Sequence, residues 1–385
     1  MKLILEKANQ HFRLRLPFVL YKNADDNLIK GIFQKSDTLF MVNDFTENGF
    51  VFASFDGNKT YIIPENESEI SSEIFIEHQS ISLAGINFYS NEQERSTFEN
   101  LVDKGIEAIK NQEFKKVVLS RKESVEISNF DLMLTFEKLV QLYPTAFIYC
   151  FYHPKVGVWL GASPEQLLKT NQEVFQTISL AGTQKDSGNS EVIWKQKEEE
   201  EQQFVTDYIA NKLKDAATEL KISEPYSSKA GSLWHIKTDI SGVLNPNYGL
   251  QKVIRLLHPT PAVCGFPKDQ SKKFILENEN YDRTFYTGFL GELNCENANG
   301  VVSSDLFVNL RCMELEYDLE PKESKSVFSK AIIYIGCGIT KDSLPEKEWQ
   351  ESVNKSMTMK KVLDLGVEFI SKSETFNFKP ETKII

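Results

Sequence analysis

The sequence predicts an α+β fold built as one unit. Strand-like runs with turn signals dominate the front and the middle of the 385-residue chain, and amphipathic helical segments lie between them. Successive runs such as AFIYCFYH and GVWLGAS are separated by only a few residues, which favours antiparallel pairing. No linker rich in Gly, Pro or Ser divides the chain, and its 41% hydrophobic content is enough for a sizeable core.

The first 95 residues are predicted to be short strands separated by turns. The strand-like runs lie at residues 18–23, 38–45 and 50–64, and Asp56-Gly57 is a hairpin signal within the last run. No residue of this region suggests chemistry.

Apolar residues at helical spacing predict the helices. We expect them at 91–112, at about 191–220, at 249–258 and after Ser343, where Ser343-Leu344-Pro345-Glu346 has capping-box spacing. Pro259 and Pro261 end the third helix, so an irregular loop should follow it. Residues after about 372 read as a loose tail.

Composition narrows the classes of partner. The net charge of -11 argues against a nucleic-acid surface, so a small-molecule partner is expected. No apolar run approaches the ~20 residues of a membrane span, and the N-terminus turns polar too soon for a signal peptide. The five cysteines are widely spaced without a C-x-x-C motif, which favours a reducing cytoplasm.

Two pairs of glutamates are candidate metal ligands. Glu198 and Glu201 lie three apart on the apolar stripe of the long helix, and Glu348 and Glu351 have the same spacing on the last helix. The alternatives are a solvated helix end for the first pair and favourable interaction with the helix N-terminus for the second. If both faces meet at one cavity, a hard cation such as Mg²⁺ would make four converging carboxylates tolerable.

Three further residues could act on a substrate. Lys116 opens a strand and could face inward as a general base, although a solvated lysine is the simpler interpretation. Glu165 follows Pro164 at a corner, where burial would raise its pKa and make it a general acid. Arg311 lies within an apolar alternation, so we expect it to bind a carboxylate, from either a ligand or a structural salt bridge.

The histidines do not suggest a metal set. His235 and His258 are isolated, and a satisfied core or loop-bracing histidine is the default interpretation of each. The sequence also has no G-x-G-x-x-G, P-loop or G-x-S-x-G motif, which excludes dinucleotide, P-loop nucleotide and α/β-hydrolase interpretations.

The order of several short motifs resembles the chorismate-utilising enzymes over roughly residues 95–365. The motifs are KVVLSR, GASPEQLL, TISLAGT, EQQFVTDYI, LWHIKTDISG, LLHPTPAVCGFP, YDRTFYTGFLGEL, FVNLRC, IGCGI and EKEWQES. The resemblance implies a single large fold of mainly antiparallel sheets, forming an α/β sandwich with helices outside. It divides the chain into a variable N-terminal part (1–95), a catalytic core (96–370) and a tail (371–385).

The resemblance also implies roles for individual residues. Lys116 would be the base that activates water, Glu165 the general acid, and His235 a neighbour of the reacting hydroxyl. The remaining implied residues bind the substrate, chorismate, or Mg²⁺. They are Ala181, Gly182, Thr183, Ala262, Arg311 and Gly336 for chorismate, Glu201 and Glu351 as direct metal ligands, and Glu198 and Glu348 as ligands through water.

The resemblance favours the branch that converts chorismate to isochorismate. Lys116 marks the water-using branches, and Ala181 stands where the aminodeoxychorismate branch has a nucleophilic lysine. Ala262 favours isochorismate over salicylate formation, since salicylate synthases tend to have threonine there. Salicylate synthase, anthranilate synthase component I and an inactive regulatory paralogue remain alternatives. We expect a cytoplasmic monomer without an obligatory amidotransferase subunit.

Overall fold

The computed structural model describes residues 1–76, 92–127, 130–185, 192–230, 233–296, 299–318 and 327–363. Within these ranges, six side chains are not described, those of Thr183, Lys185, Lys197, Glu201, Ala230 and Leu233. The predicted tail at 371–385 lies outside the described residues.

The described ranges contain helices along the whole chain. They are α1 (Lys2–Arg13), α2 (Glu92–Lys110), α3 (Leu132–Leu142), α4 (Gln196–Leu213), α5 (Leu250–Leu257), α6 (Lys268–Asn278) and α7 (Pro345–Lys360). None of the described helices is long and apolar enough to cross a membrane.

The strands alternate with these helices in groups. In chain order they are β1 (Phe18–Lys22), β2 (Leu28–Gln34), β3 (Phe40–Met41), β4 (Gly49–Ala53), β5 (Thr60–Pro64), β6 (Ser68–Ile74), β7 (Lys116–Glu126), β8 (Phe147–His153), β9 (Gly157–Ser163), β10 (Gln166–Asn171), β11 (Val174–Lys185), β12 (Ala217–Ile222), β13 (Tyr226–Ala230), β14 (Leu233–Leu244), β15 (Gly265–Phe266), β16 (Phe289–Glu296), β17 (Val302–Val308), β18 (Cys312–Tyr317) and β19 (Phe328–Ile339).

These strands form two large sheets, and each described pairing is antiparallel. The first sheet has the order β15-β7-β19-β18-β9-β8-β1-β2-β6. The second has the order β12-β14-β11-β10-β17-β16-β4-β5-β3, and β13 also pairs with β14. The α+β class predicted from the sequence is therefore confirmed. Strands from before and after residue 95 share both sheets.

The sheets pack face to face with helices on their outer sides. An aromatic-rich core that includes Phe52, Tyr149 and Trp159 fills the space between the sheets. Helices α1 and α3 cover the outer face of the first sheet, and α4 and α5 cover that of the second. Central strands are therefore buried on both faces, which is why β8 reads as a continuous apolar run.

Several local predictions were wrong. The chain begins with helix α1, and residues 38–45 contain only the two-residue strand β3. The long helix ends at Leu213, after which Ala217–Ile222 is a strand. Helix α7 begins with Pro345 as predicted, but no side chain caps it, so the expected capping box does not form.

Two connections that cross between the sheets carry residues of the candidate site. Strand β9 belongs to the first sheet and β10 to the second, so the Ser163-Pro164-Glu165 corner carries the chain across. Residues 309–311 carry it back between β17 and β18. Arg311 was expected within a strand, but it lies in this crossing with φ 49°. Its charged side chain therefore does not follow the alternating inward and outward directions of a buried strand.

Candidate active site

Glu165 and Arg311 lie on two crossings that run side by side. The backbone N–H of Val308 donates to the carbonyl of Glu165 over 2.9 Å, and the N–H of Ala162 donates to the carbonyl of Arg311 over 3.0 Å. The Ser163 hydroxyl also donates to the carbonyl of Val308 over 2.5 Å. These bonds fix the two crossings to each other, so an acid and a cation far apart in sequence occupy one end of the inter-sheet space.

The Glu165 carboxyl is buried against polar and positively charged groups. Burial raises the pKa of Glu165 to about 7, although a hydrogen bond from Thr260 and the charges of Lys116 and Arg311 act in the opposite direction. The Thr260 hydroxyl lies 3.4 Å from Oε1 of Glu165. A carboxyl with this pKa is substantially protonated at neutral pH and can serve as a general acid.

Lys116 lies over a glycine floor. Gly336 and Gly338 are two residues apart on β19, so they share one face of the sheet. A Cβ on Gly338 would lie 3.2 Å from Cε and 3.7 Å from Nζ of Lys116. A Cβ on Gly336 would lie 2.6 Å from the hydroxyl oxygen of Tyr286. Because neither glycine has a side chain, Lys116 and Tyr286 have room to lie against this face of β19.

His235 holds the small-residue turn of β11. Its Nδ1 lies 3.0 Å from the carbonyl oxygen of Gly182, and because a carbonyl only accepts, Nδ1 carries the proton. Gly182 has φ +68° within a bulge that follows Ala181, a conformation that glycine adopts without strain. The side chain of Thr183 is outside the described part.

Charged groups of helix α7 also act on His235. Burial lowers the pKa of His235, and the charges of Arg311 and Lys355 lower it further, whereas the Gly182 carbonyl and Glu351 act to raise it. Groups from β11, β14, α7 and the Arg311 crossing therefore lie within electrostatic reach of one imidazole. We refer to the region that these groups share as the cleft.

Helix α7 brings two of the predicted metal ligands together. A carboxylate oxygen of Glu348, one of Glu351 and the Sγ atom of Cys337 all lie within 4.8 Å of one another. Lys355 forms an ion pair with Glu351 at 2.6 Å. Two carboxylates at this spacing suit a hard cation such as Mg²⁺, whereas a thiol is a soft ligand.

The second predicted pair is only partly described. Glu198 Oε2 accepts hydrogen bonds from the backbone N–H of Lys195 and from Nε2 of Gln184, both over 2.9 Å. A Cβ on Gly182 would lie 3.5 Å from Cβ of Glu198, so this glutamate borders the cleft at the β11 turn. Glu201 lies one turn further along α4, and its side chain is not described. The Glu198 carboxylate has a helix-capping role in addition to any role toward a metal.

Comparison with known proteins shows the family. The sequence model described as "Chorismate binding enzyme" matches residues 58–364. The chain belongs to the chorismate-binding enzymes. The family prediction made from the motifs is therefore confirmed, although the match begins well before residue 95.

Relatives of this chorismate-binding enzyme have more than one activity. Isochorismate synthase EntC of Escherichia coli (strain K12) is 31% identical over 285 residues, covering 71% of this chain and 68% of that protein. Anthranilate synthase component 1 of Lactococcus lactis subsp. lactis (strain IL1403) is 28% identical over 297 residues, covering 74% and 61%. The menaquinone-specific isochorismate synthase MenF from Escherichia coli has the same fold, with a TM-score of 0.72 at 18% identity over 90% of this chain and 89% of that one.

Sequence reasoning missed two groups of this chorismate-binding enzyme's cleft. Lys355 donates to the carbonyl of Gly336 over 3.0 Å and pairs with Glu351, but at i+4 from a glutamate it resembles an ordinary surface pair. Thr260 lies in the loop after α5, and only the fold brings it to Glu165. Ala262 is half-buried in the same loop, beside Val263, whose carbonyl accepts from Arg283 over 3.1 Å.

Proposed function

We propose that this chorismate-binding enzyme is an isochorismate synthase, which adds water at C2 of chorismate and removes the hydroxyl at C4. The observation that carries the proposal is the Glu165 carboxyl, which is buried, has a pKa of about 7 and lies within electrostatic reach of Lys116 and Arg311. A protonated acid and an amine in one cleft are the two groups that such an exchange of hydroxyls requires.

The proposed step moves protons in opposite directions at two ring carbons. Lys116 takes a proton from a water molecule whose oxygen bonds to C2. The ring double bonds move from C1–C2 and C5–C6 to C1–C6 and C4–C5. The bond from C4 to its hydroxyl oxygen then breaks as Glu165 protonates that oxygen. One water enters and one leaves, so the reaction needs no oxidant or reductant.

His235 and the β11 turn shape the nucleophile's surroundings in this proposal. The imidazole, whose pKa is lowered by burial, stays neutral and keeps its Nδ1–H on the Gly182 carbonyl. It can then lie next to the leaving hydroxyl without adding a charge. Ala181 and Gly182 leave the turn uncharged, with no amine to compete with water.

The positive charges of the cleft are complementary to the two carboxylates of chorismate. We assign the enolpyruvyl carboxylate to Arg311 and the backbone near Gly336, where Lys355 adds a second positive charge. Glu201 and Glu351 would hold Mg²⁺ directly, and Glu198 and Glu348 through water. When bound, the metal would neutralise and orient the ring carboxylate.

The cellular setting forms part of the same proposal. All five cysteines are free and buried, which supports a reducing cytoplasm. We propose a monomer that needs no amidotransferase subunit, because water is the nucleophile. Its product would enter menaquinone or catecholate siderophore synthesis, and size-exclusion chromatography tests the monomer directly.

The test is to incubate the pure protein with chorismate and Mg²⁺ in the absence of any amine and to separate the products. Isochorismate supports the proposal. Salicylate with pyruvate would move the chain to the salicylate branch, and turnover only with ammonia or a glutamine-hydrolysing partner would move it to the anthranilate branch. Unchanged chorismate under all conditions would exclude these activities.

Two neighbouring lysines supply a matched pair of variants. Lys116→Ala should abolish isochorismate formation while leaving chorismate binding. Lys115→Ala should keep both, since the Lys115 amine faces the Phe204 ring at 5.2 Å. Equal losses in the two variants would remove Lys116 from the role of base.

A further inference from the structure

A buried group of charges lies between β7 and α7. Nε of Arg121 donates to the Ser352 hydroxyl over 2.8 Å, and Nη1 and Nη2 each donate to Oε2 of Glu123 over 3.1 Å. Lys360 forms an ion pair with the other oxygen of Glu123. The Arg121 guanidinium also lies 4.5 Å from the centre of the Trp349 ring.

These polar contacts are buried, so any movement that separates the partners is costly. Arg121, Ser352 and Lys360 are each less than 10% exposed. Buried ion pairs add little net stability, because desolvation offsets their attraction, but they penalise any arrangement that separates the partners. Apolar contacts such as those of Met359 tolerate sliding far better. The charged group is thus suited to fixing the position of α7.

The helix joins this anchor rigidly to the cleft. The anchored residues Ser352 and Lys360 lie about 12 Å apart along α7 at 1.5 Å per residue. Glu351 immediately precedes Ser352, about 100° around the helix, and Lys355 lies one turn further on the Glu351 side. A rotation or a slide of α7 would therefore move its carboxylates and Lys355 together.

A second contact shows how closely the position is set. Lys355 reaches the carbonyl of Gly336 on β19, and the partner of Gly336 across the sheet is Ser120, the residue before Arg121. Helix α7 is thus held to two adjacent strands at nearly the same height, to β7 through Arg121 and to β19 through Gly336. Loss of the buried anchor would leave α7 held by the Lys355 contact, by the bond from Tyr143 to the Thr358 carbonyl and by its apolar packing, which together tolerate more sliding.

We infer that Arg121, Glu123 and Lys360 are positioning residues that hold α7 where Glu348, Glu351 and Lys355 reach the cleft. The inference rests on the proposed function for its consequence in catalysis. The anchoring of α7 itself can be measured without turnover.

Glu123→Gln tests the inference, with Glu126→Gln as the matched control. Glu126 lies on the same strand and faces Lys330 at 3.6 Å with 79% of its side chain exposed. We expect faster amide exchange across residues 345–360 in Glu123→Gln alone. Its Mg²⁺ dissociation constant and half-saturating Mg²⁺ concentration should rise about tenfold, as for other losses of groups that orient metal ligands. The value of kcat at saturating Mg²⁺ should stay within about twofold, because Lys116 and Glu165 lie on β7 and at the corner after β9, outside α7.

The outcomes separate positioning from general loosening. Unchanged exchange along α7, or equal changes in the Glu126→Gln control, would overturn the inference. A fall in kcat with Mg²⁺ affinity unchanged would also overturn it. Should Glu123→Gln fail to fold, Lys360→Met removes the same anchor from the helix side and leaves the pair of Arg121 and Glu123 intact. A wild-type chain inactive on chorismate would overturn the proposed function, whereas the exchange result would still decide the anchoring.

Discussion

The Lys116 side chain lies on Gly338. A Cβ on that glycine would stand 3.2 Å from Cε of the lysine, closer than side-chain carbons normally approach. The two residues occupy neighbouring strands, where Gly338 pairs with Val118 and Ile339 with Val117. Strand β19 thus presents a surface without a side chain at position 338, and β7 carries the Lys116 amine that lies against it. The direction of the Lys116 amine therefore depends on the absence of a Cβ at Gly338.

Gly338→Ala should displace the Lys116 amine by a few tenths of an ångström and lower kcat about tenfold, since positioning errors of this kind are costly in catalysis. The KM for chorismate should change little. Steady-state kinetics measures both values. Gly249→Ala is the control, because no atom lies within 4 Å of its added Cβ. A variant with full kcat would show that the amine does not need this contact.

The Glu165 carboxyl should lose its proton as the pH rises through about 7. Glu165 must be protonated to act as the acid, and burial places its pKa at about 7. Infrared difference spectroscopy of the wild type against Glu165→Gln measures the protonated carboxyl between pH 5 and pH 9. A Glu165 carboxyl that is already ionised at pH 5 would remove it from the acid role.

Glu165→Gln should stabilise the folded protein at alkaline pH. The folded pKa of about 7 exceeds the ordinary value of 4.5, so the native state holds the proton more tightly than the unfolded chain. The carboxyl therefore favours folding at low pH, and this contribution is lost as the pH rises from 4.5 through 7, to a limit of about 3 kcal/mol. Denaturant unfolding should show the variant gaining stability relative to wild type between pH 5 and pH 8. The same difference at both values would contradict the linkage.

Glu279→Gln should destabilise the fold by about 3–5 kcal/mol, because it leaves the Arg283 guanidinium buried without its charge partner. The pair is almost fully buried, with Nη2 2.6 Å from Oε1, and Arg283 also donates to the Val118 carbonyl over 2.7 Å. Glu277→Gln, two residues earlier in the last turn of α6, is the control, and its exposed pair with Lys273 at 3.8 Å should be worth less than about 1 kcal/mol. Urea unfolding at pH 7 compares them, and equal effects would contradict this account.

The sequence could predict the fold class because strand and helix periods are local signals. It could also locate Glu165, since a proline at a sheet crossing interrupts the strand pattern. It could not predict the polar surroundings of Glu165. Thr260 reaches that carboxyl across 95 residues of sequence, and Arg311 does so only because its crossing lies beside the Glu165 corner.

For the helices, too, the sequence predicts local spacing but not contacts between distant residues. Periodicity placed Glu348 and Glu351 on one face of α7, and the structure brings their carboxylates together. The role of Glu198 as a cap depends on the backbone of Lys195, which the spacing of the glutamates does not reveal. Helix α1 was missed although Ile4, Ala8 and Phe12 recur at helical spacing and are buried in the core beneath the first sheet.

The central claim is that water, activated by Lys116, supplies the new hydroxyl at C2. The direct measurement is turnover of chorismate by the wild-type protein in H₂¹⁸O with Mg²⁺, followed by mass spectrometry of the product. The account predicts isochorismate carrying one ¹⁸O at the C2 hydroxyl. Isochorismate without the label would mean that the C4 hydroxyl migrates within the molecule, and it would contradict the roles given to both Lys116 and Glu165.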